Sequence, residues 1–323
     1  MAKQKQIATR ESHALVLVNA GALDRNPAAV YLASLAPGSR RTMGDALNEI
    51  ADKLTVGRVR DAFLIDWGAV RFQHAAAVRS KLAESQSAAT VNKKLAALRG
   101  ALRAAILLGR MSAEDDARTR EIERVIGESI PAGRALGEGE IEALLRMCAK
   151  GSGGARDGAI IALMRMGLRR AEVCALDVKD FDAQAGALKV HGKGNKVRIV
   201  YIKNGAALWF GDWLHVRGDV PGPVFFRVLK GGKIVRERIT TQTVFDLLQR
   251  RARQAGVKDI SPHDFRRTFV GDLLDAGADI STVQRLAGHE SVETTARYDR
   301  RGEVAKQKAT ELLHVPYFGR LGK

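Results

Sequence analysis

The residues of this chain that could do chemistry are basic side chains and one phenol, all in its second half. Arg169 and Arg170 stand at a predicted helix start, where free N–H groups and the helix dipole favour a bound phosphate. His263 and Arg266 are three residues apart, so they project from one face of a predicted helix. Guanidinium groups bind two phosphate oxygens at once, and imidazoles transfer protons near neutral pH. These residue types therefore favour chemistry on a phosphate group.

Three further residues have an unusual setting. Lys193 lies between two glycines at a predicted hairpin turn, where it can reach into a groove. His289 follows a glycine at a predicted helix end, and Tyr298 stands among polar residues, whereas a buried tyrosine usually lies in an apolar run. Each feature alone has a plainer explanation, because surface arginines, solvated turn lysines and helix-stop histidines are common. The set gains meaning only when it is taken together.

The composition of the 323 residues favours a polyanionic partner. Lys and Arg number 53 against 36 Asp and Glu, a formal net charge of +17 that suits nucleic acid, although a basic solvated surface is the alternative. Cys148 and Cys174 are too few for a disulfide framework and fit a reducing cytosol. The apolar stretch 14–23 is a poor signal peptide, and no apolar run approaches the roughly 20 residues of a membrane span. We expect a cytoplasmic protein without a metal or cofactor.

The first part of the chain has helical periodicity. It predicts helices over 26–35, 39–54, 68–85 and 87–109, the last with an apolar stripe. That stripe is formed by Leu95, Leu98, Leu102 and Ile106. Four basic residues lie mostly off the stripe and are predicted to face DNA, with an ordinary solvated surface as the alternative. They are Lys93, Lys94, Arg99 and Arg103.

A glycine-rich stretch with Pro131 predicts a linker between two domains. We expect an N-terminal tail over 1–25, a helical domain over 26–128, the linker over 129–137 and a second domain over 138–323. The second domain has predicted helices at 138–150, 154–166, from about 170, and at 241–255, 264–276 and 279–287. Alternating residues over 187–202 and 223–239 predict two hairpins, so the fold is mainly α with a small antiparallel β-sheet.

Taken in order, the motifs GLRRAEVCAL, GKGNKVRIV, SPHDFRRTF, LAGH and TTARY resemble the tyrosine recombinase (phage integrase) family. The resemblance covers most of the chain and is strongest over 160–300. The helix at 87–109 looks like the last long helix of the core-binding domain of that family. The resemblance implies a two-domain, C-shaped DNA clamp, in which a helical core-binding domain and a catalytic domain close around the duplex.

The resemblance also implies roles for individual residues. Tyr298 matches the nucleophile, and Glu172 matches an acidic position that supports the first arginine. The other matched catalytic residues are Arg169, Lys193, His263, Arg266 and His289. The choice of Arg169 over Arg170 rests on the resemblance, and Arg267 departs from it, since many members carry histidine there. The competing tyrosines are Tyr31 in the first domain, Tyr201 on a strand and Tyr317 in an apolar tail expected to pack.

The implied function is site-specific recombination or integration, in which DNA is cut and rejoined through a covalent 3′-phosphotyrosine, without metal or ATP. An integrase of a mobile element and a Xer-like resolvase are the preferred forms. The implied partners are double-stranded DNA with specific sites and a homotetramer that holds two sites. Its protomers would dock through a C-terminal tail helix with Leu312, Leu313 and Val315, or that tail would pack in cis. A type IB topoisomerase and a non-catalytic DNA-binding protein remain the alternatives. We expect association with the nucleoid.

Overall fold

The computed structural model describes residues 15–17, 22–127, 133–192, 196–299, 302, 307 and 310–317. The chain divides into two compact units, residues 1–130 and 131–323. Helices dominate both units, and the strands within the described residues form small antiparallel sheets, so the predicted mainly α fold is confirmed. Over the same ranges, no helix combines the length and the apolar character that crossing a bilayer requires.

The first unit is a helical bundle. Within the described residues its α-helices are α1 (Pro27–Ser34), α2 (Pro37–Leu54), α3 (Phe72–Ala83), α4 (Ala88–Leu107) and α5 (Ala113–Arg120). The apolar stripe predicted for α4 lies in the core, where Leu95, Leu98 and Leu102 are almost fully buried. Gly100 lets α1 approach α4 closely, since a Cβ there would stand 2.2 Å from the ring of Tyr31. The stripe therefore defines this core.

Two predictions for the first unit are wrong. Lys94 does not face solvent, because its ammonium group is buried in an ion pair with Glu49 and donates to the side chain of Gln86 over 2.6 Å. A long side chain can follow an apolar surface and still reach a partner, which periodicity alone does not reveal. The segment 1–25 is not simply a tail, because Leu15 is buried in the core and Val16 pairs with Ile65 as an antiparallel bridge.

The second unit combines helices with two small sheets. Its described helices are α6 (Glu138–Arg146), α7 (Gly151–Arg165), α8 (Arg170–Ala175), α9 (Asn204–Arg217), α10 (Thr241–Ala255), α11 (Pro262–Asp275), α12 (Ile280–Ala287) and α13 (Val292–Ala296). Strands β1 (Phe181–Asp182), β2 (Ala187–His191) and β3 (Val197–Tyr201) form one antiparallel sheet in that order, and β4 (Phe226–Val228) pairs with β5 (Ile234–Arg238). Both predicted hairpins are confirmed.

Helix α9 was not predicted from the sequence. Its glycines and its even spread of apolar residues weaken the periodic pattern, with Leu208 exposed but Phe210 and Trp213 buried. Trp213 stacks on Phe225 with ring centroids 6.1 Å apart and donates from Nε1 to the carbonyl of Val224. Helix α9 packs against α7, whose inner residues form the centre of this core.

The end of the predicted linker belongs to the second unit. The N–H of Arg134 donates to Asp264 Oδ1 over 2.8 Å, and the N–H of Leu136 donates to Thr268 Oγ1 over 2.8 Å. Arg267 donates to the carbonyl of Gly133 over 2.9 Å. These bonds fasten residues 133–136 to α11, so the packed second unit begins before residue 138. The residue that departs from the family pattern, Arg267, thus has a structural partner.

Candidate active site

The candidate site is built on the C-terminal end of α12, where the sequence Leu-Ala-Gly-His ends the helix. Gly288 adopts a left-handed conformation (φ 62°), and its N–H bonds the carbonyl of Arg285. The N–H of His289 bonds the carbonyl of Gln284, which completes a Schellman motif. These two bonds leave the last carbonyls of the helix available for other donors.

Three arginines satisfy three consecutive carbonyls at this helix end. They come from β3, from α11 and from the residue that precedes α8, and the negative end of the α12 dipole favours their charge. The bonds run from Arg198 Nε to Leu286 (3.0 Å), from Arg266 Nη2 to Ala287, and from Arg169 Nη2 to Gly288 (2.7 Å). Residues far apart in sequence are thereby brought to one place.

Glu172 orients Arg169. Its carboxylate accepts from the backbone N–H of Arg169 and from Nη1 of the same residue, both over 2.7 Å. It also accepts two bonds from Arg198, over 2.7 and 2.8 Å. Burial alone would raise the pKa of Glu172, but the bonds from Arg198 and Arg169 outweigh it and hold the pKa below its usual value. The carboxylate is therefore ionised at neutral pH.

Arg266 is the most deeply buried of the three arginines. Its Nη1 donates to the carbonyl of Gly167 over 3.0 Å, and its Nε donates to His289 Nε2 over 3.2 Å. Burial, helped by the nearby charge of Arg169, lowers the pKa of Arg266 to about 10. The guanidinium still carries its charge at neutral pH, in an apolar setting that strengthens its pull on an anion.

His289 is held as a neutral ring. The Nε–H of Arg266 can only donate, so His289 Nε2 accepts and Nδ1 carries the proton. Nδ1 then donates to Thr295 Oγ1 over 2.9 Å. Burial, together with the charges of Arg266, Arg169 and Arg198, lowers the pKa of His289 to about 4. At neutral pH the imidazole is a hydrogen-bonding partner and adds no charge.

Tyr298 lies directly beside this histidine. The two rings are stacked, with centroids 5.9 Å apart and planes at 17°. The tyrosine is half-buried and borders a small apolar cluster that includes Phe269 and Val283. It therefore has both a packed ring and a position next to the arginines.

The competing tyrosines lie elsewhere. Tyr31 packs in the first unit, and Tyr201 is 54% exposed on β3. Tyr317 is 85% exposed, so the packing predicted for its apolar tail is not made within the described chain.

A cavity of about 630 Å³ opens beside these groups. Its lining includes Arg169, Arg198, Arg285 and His289, and it is basic overall. A pocket of fixed positive charge is suited to a phosphodiester. Over the described parts of the chain, no group of three or more His, Cys, Asp or Glu side chains is placed to hold a metal ion.

The structure does not bring all of the remaining predicted residues together with the cluster around His289. His263 is exposed in the first turn of α11, one turn before Arg266 on the same helix. Lys193 lies outside the described residues, which end at Gly192 on one side of the hairpin turn and resume at Lys196. Arg170 follows Arg169 as the first residue of α8 and is half-buried.

Arg198 was missed by the sequence analysis, although it lies within the motif GKGNKVRIV. The alternation of inward and outward residues along β3 could have identified Arg198. In β3, Val200 is buried and Val197 and Ile199 are exposed, so Arg198 shares the inner face with Val200. An arginine on the inner face of a strand needs an acidic partner, and Glu172 is that partner.

Comparisons with known proteins agree on one family. Residues 134–303, about half of the chain, match the phage integrase family. The tyrosine recombinase XerC of Vibrio parahaemolyticus is 32% identical over 263 residues, which cover 80% of this chain and 81% of that protein. The tyrosine recombinase XerC of Corynebacterium glutamicum is 34% identical over 229 residues, covering 67% and 68%.

Solved structures agree on the fold. The Tn1549 transposon integrase in complex with transposon right-end DNA aligns with a TM-score of 0.66 at 16% identity, over 90% of this chain and 99% of that one. The XerH site-specific recombinase, bound to a palindromic difH substrate, aligns with a TM-score of 0.56 at 21% identity, over 81% and 74%. With the sequence relatives, these findings settle the family. The chain belongs to the phage integrase family and is a tyrosine-type site-specific DNA recombinase.

Proposed function

We propose that Tyr298 is the nucleophile of this recombinase and that Arg169 and Arg266 clamp the phosphate it attacks. The observation that carries the proposal is the unbroken contact from Arg266 to His289 to Tyr298. Arg169 shares the same helix end through Gly288. Two guanidiniums with fixed orientation stabilise the charge that builds on phosphate oxygens in the transition state.

The reaction exchanges one ester bond for another. The phenolic oxygen of Tyr298 attacks phosphorus and loses its proton, for which His263 is the proposed acceptor. The bond from phosphorus to the 5′ oxygen breaks, and Lys193 is proposed to protonate that leaving oxygen, which becomes a free 5′-hydroxyl. The product is a 3′-phosphotyrosine, which keeps the energy of the ester. A 5′-hydroxyl from another duplex reverses the step, so joining needs neither ATP nor a metal.

His289 is proposed to bind the phosphate directly. Its Nε2 accepts from Arg266 and, in the neutral ring, has no proton to donate. A phosphodiester would offset the three positive charges that lower the His289 pKa. Proton uptake at Nε2 then becomes favourable, and the ring can donate to a phosphate oxygen. Arrival of DNA and protonation of this histidine are coupled in the proposal.

Double-stranded DNA that carries specific sites is the proposed substrate. The excess of basic residues supports strong phosphate contacts. In the first unit Lys93 and Arg103 are exposed and remain proposed DNA contacts, while Arg99 is partly engaged with the carbonyl of Ile122. The relatives named above are recombinases and integrases, which favours recombination over a topoisomerase activity. Action on DNA would place the protein at the nucleoid of the cytoplasm.

The C-terminal tail is proposed to join protomers in a tetramer on two DNA sites. Its apolar side chains are not packed against other described residues: Leu312, Leu313 and Val315 are 85%, 72% and 80% exposed. Apolar side chains grouped in this way on one segment favour a protein partner. Exposure of all three argues against packing in cis and supports docking on a second copy.

The nucleophile is tested by Tyr298→Phe, which removes a single oxygen. We expect the variant to bind its DNA site with near wild-type affinity, because the phosphate contacts remain. It should form no covalent adduct on a denaturing gel with a nicked suicide substrate. Tyr201→Phe is the matched control and should form the adduct normally. An undiminished adduct in Tyr298→Phe would refute the assignment.

The clamp is tested by Arg169→Ala against Arg170→Ala, two adjacent arginines. Loss of one donor to transition-state charge should slow single-turnover cleavage by about 10²–10³-fold in Arg169→Ala. Arg170→Ala should cleave at close to the wild-type rate, because no bond links it to the α12 end. The reverse order of the two rates would move the clamp to Arg170.

The buried neutral state of His289 predicts a pH dependence of stability. The unfolded ring binds a proton near pH 6.5, whereas the folded ring does so near pH 4. Its contribution is therefore complete above pH 6.5 and is lost as pH falls from about 6.5 to 4, a change of about 1–3 kcal/mol after allowing for partial exposure. Chemical denaturation should reveal this loss in the wild type and a flatter profile in His289→Gln. Substitution of the exposed His215 by Gln should leave the profile steep.

Tail docking is tested with Leu312→Asp combined with Leu313→Asp. The thermal unfolding midpoint should stay constant, because both side chains are exposed within the chain. Complexes that bridge two DNA sites in a native gel should fall at least several-fold. Leu208→Asp, at a leucine 72% exposed on α9, is the control and should keep bridging. Normal bridging by the tail variant would reject docking in trans.

A further inference from the structure

Glu172 creates an electrostatic problem for the proposed phosphate clamp. It bonds Arg169 at both the backbone and the guanidinium, so it fixes where that guanidinium lies. Its side chain is only 5% exposed, which means that solvent screens its negative charge poorly. A carboxylate this close would cancel much of the charge that Arg169 presents to a phosphate. Orientation and charge are therefore in conflict.

Arg198 resolves the conflict by its geometry. Its two terminal nitrogens bond the two oxygens of Glu172 in a bidentate pair, and its side chain is 12% exposed. Its third nitrogen, Nε, donates to the carbonyl of Leu286. Each guanidinium nitrogen of Arg198 thus already has a partner within the chain. It is placed to act on Glu172, and through Glu172 on Arg169.

Arg198 changes the net charge of the group that holds Arg169. Arg169 with Glu172 alone sums to zero, whereas Arg169, Arg198 and Glu172 together sum to +1. Arg169, Arg266 and Glu172 together sum to +1, and Arg198 raises that sum to +2. Phosphoryl transfer builds extra negative charge in the transition state, and fixed positive charge in a half-buried site stabilises it more than charge in water does.

We propose that Arg198 is a positioning residue that neutralises Glu172, so that Glu172 can orient Arg169 without cancelling its charge at the scissile phosphate. The inference rests on the proposed function, because it assumes that Arg169 binds that phosphate. It adds a residue to the reaction that touches neither phosphate nor nucleophile. It also explains why a second arginine shares the buried carboxylate.

The first test compares Arg198→Met with Arg198→Lys in single-turnover formation of the covalent adduct. Met removes the charge and should slow cleavage by about 10–100-fold, by analogy with the loss caused by removing a residue that orients a metal ligand. Lys keeps the charge and should recover most of that rate. DNA affinity should change little in either, since it is spread over many phosphate contacts. Arg227→Met, at an exposed strand arginine paired with Glu237, is the control.

The second test removes the opposing charge as well. In Arg198→Met combined with Glu172→Gln, the charges of Arg169 and Arg266 again sum to +2, so cleavage should be about ten-fold faster than in Arg198→Met alone. A purely structural role predicts the opposite, because the double variant loses more hydrogen bonds. A methylphosphonate linkage, which lacks one charged oxygen, should likewise shrink the defect of Arg198→Met.

The outcomes separate this inference from the proposed function. If Tyr298→Phe still forms the adduct, the proposed function fails before Arg198 is considered. If Tyr298 is the nucleophile, a double variant no faster than Arg198→Met and an unchanged defect on methylphosphonate overturn the role of Arg198. Should the double variant not fold by circular dichroism, the Lys and methylphosphonate comparisons decide: recovery supports the role, and its absence rejects it.

Discussion

The site depends on the hydrogen bonds that three arginines donate to the C-terminal end of helix α12. Three guanidiniums in close proximity repel one another, and burial adds a further cost. The carbonyls of residues 286–288, the negative end of the α12 dipole and the carboxylate of Glu172 offset that cost. The Schellman motif takes up the two preceding carbonyls, those of Gln284 and Arg285, and so leaves the next three for the arginines. It also turns the chain at Gly288, which places His289 directly beside this helix end.

Contacts within the chain are sufficient to orient the two arginines of the proposed clamp. Arg169 and Arg266 already have fixed orientations, so little reorganisation is needed when a phosphate enters. His289 contacts both Arg266 and the ring of Tyr298, and its lowered pKa keeps it neutral in this arrangement. The proposed nucleophile therefore lies beside fixed positive charge that does not depend on protonation of the histidine.

The sequence predicted most of the helices and strands. It also predicted several residues of the site, but not the contacts that hold them in place. Helix periodicity located α4 and α11, and the motif order identified Arg169, Arg266, His289 and Tyr298, which the structure brings together. The sequence pattern could not predict which long basic side chains are buried, as Lys94 illustrates. The role of Arg198 depends on a contact with Glu172 that spans 26 residues, and spacing along one element cannot reveal such a contact.

The fastening of residues 133–136 to α11 has a consequence for evolution of the chain. Asp264 holds both the start of α11 and the N–H of Arg134, and Thr268 holds Leu136 one turn later. Insertions or deletions ahead of residue 133 therefore end at a fixed anchor before they reach the helix that carries Arg266. The register of the helix that carries Arg266 is thereby insulated from changes in the chain that precedes residue 133.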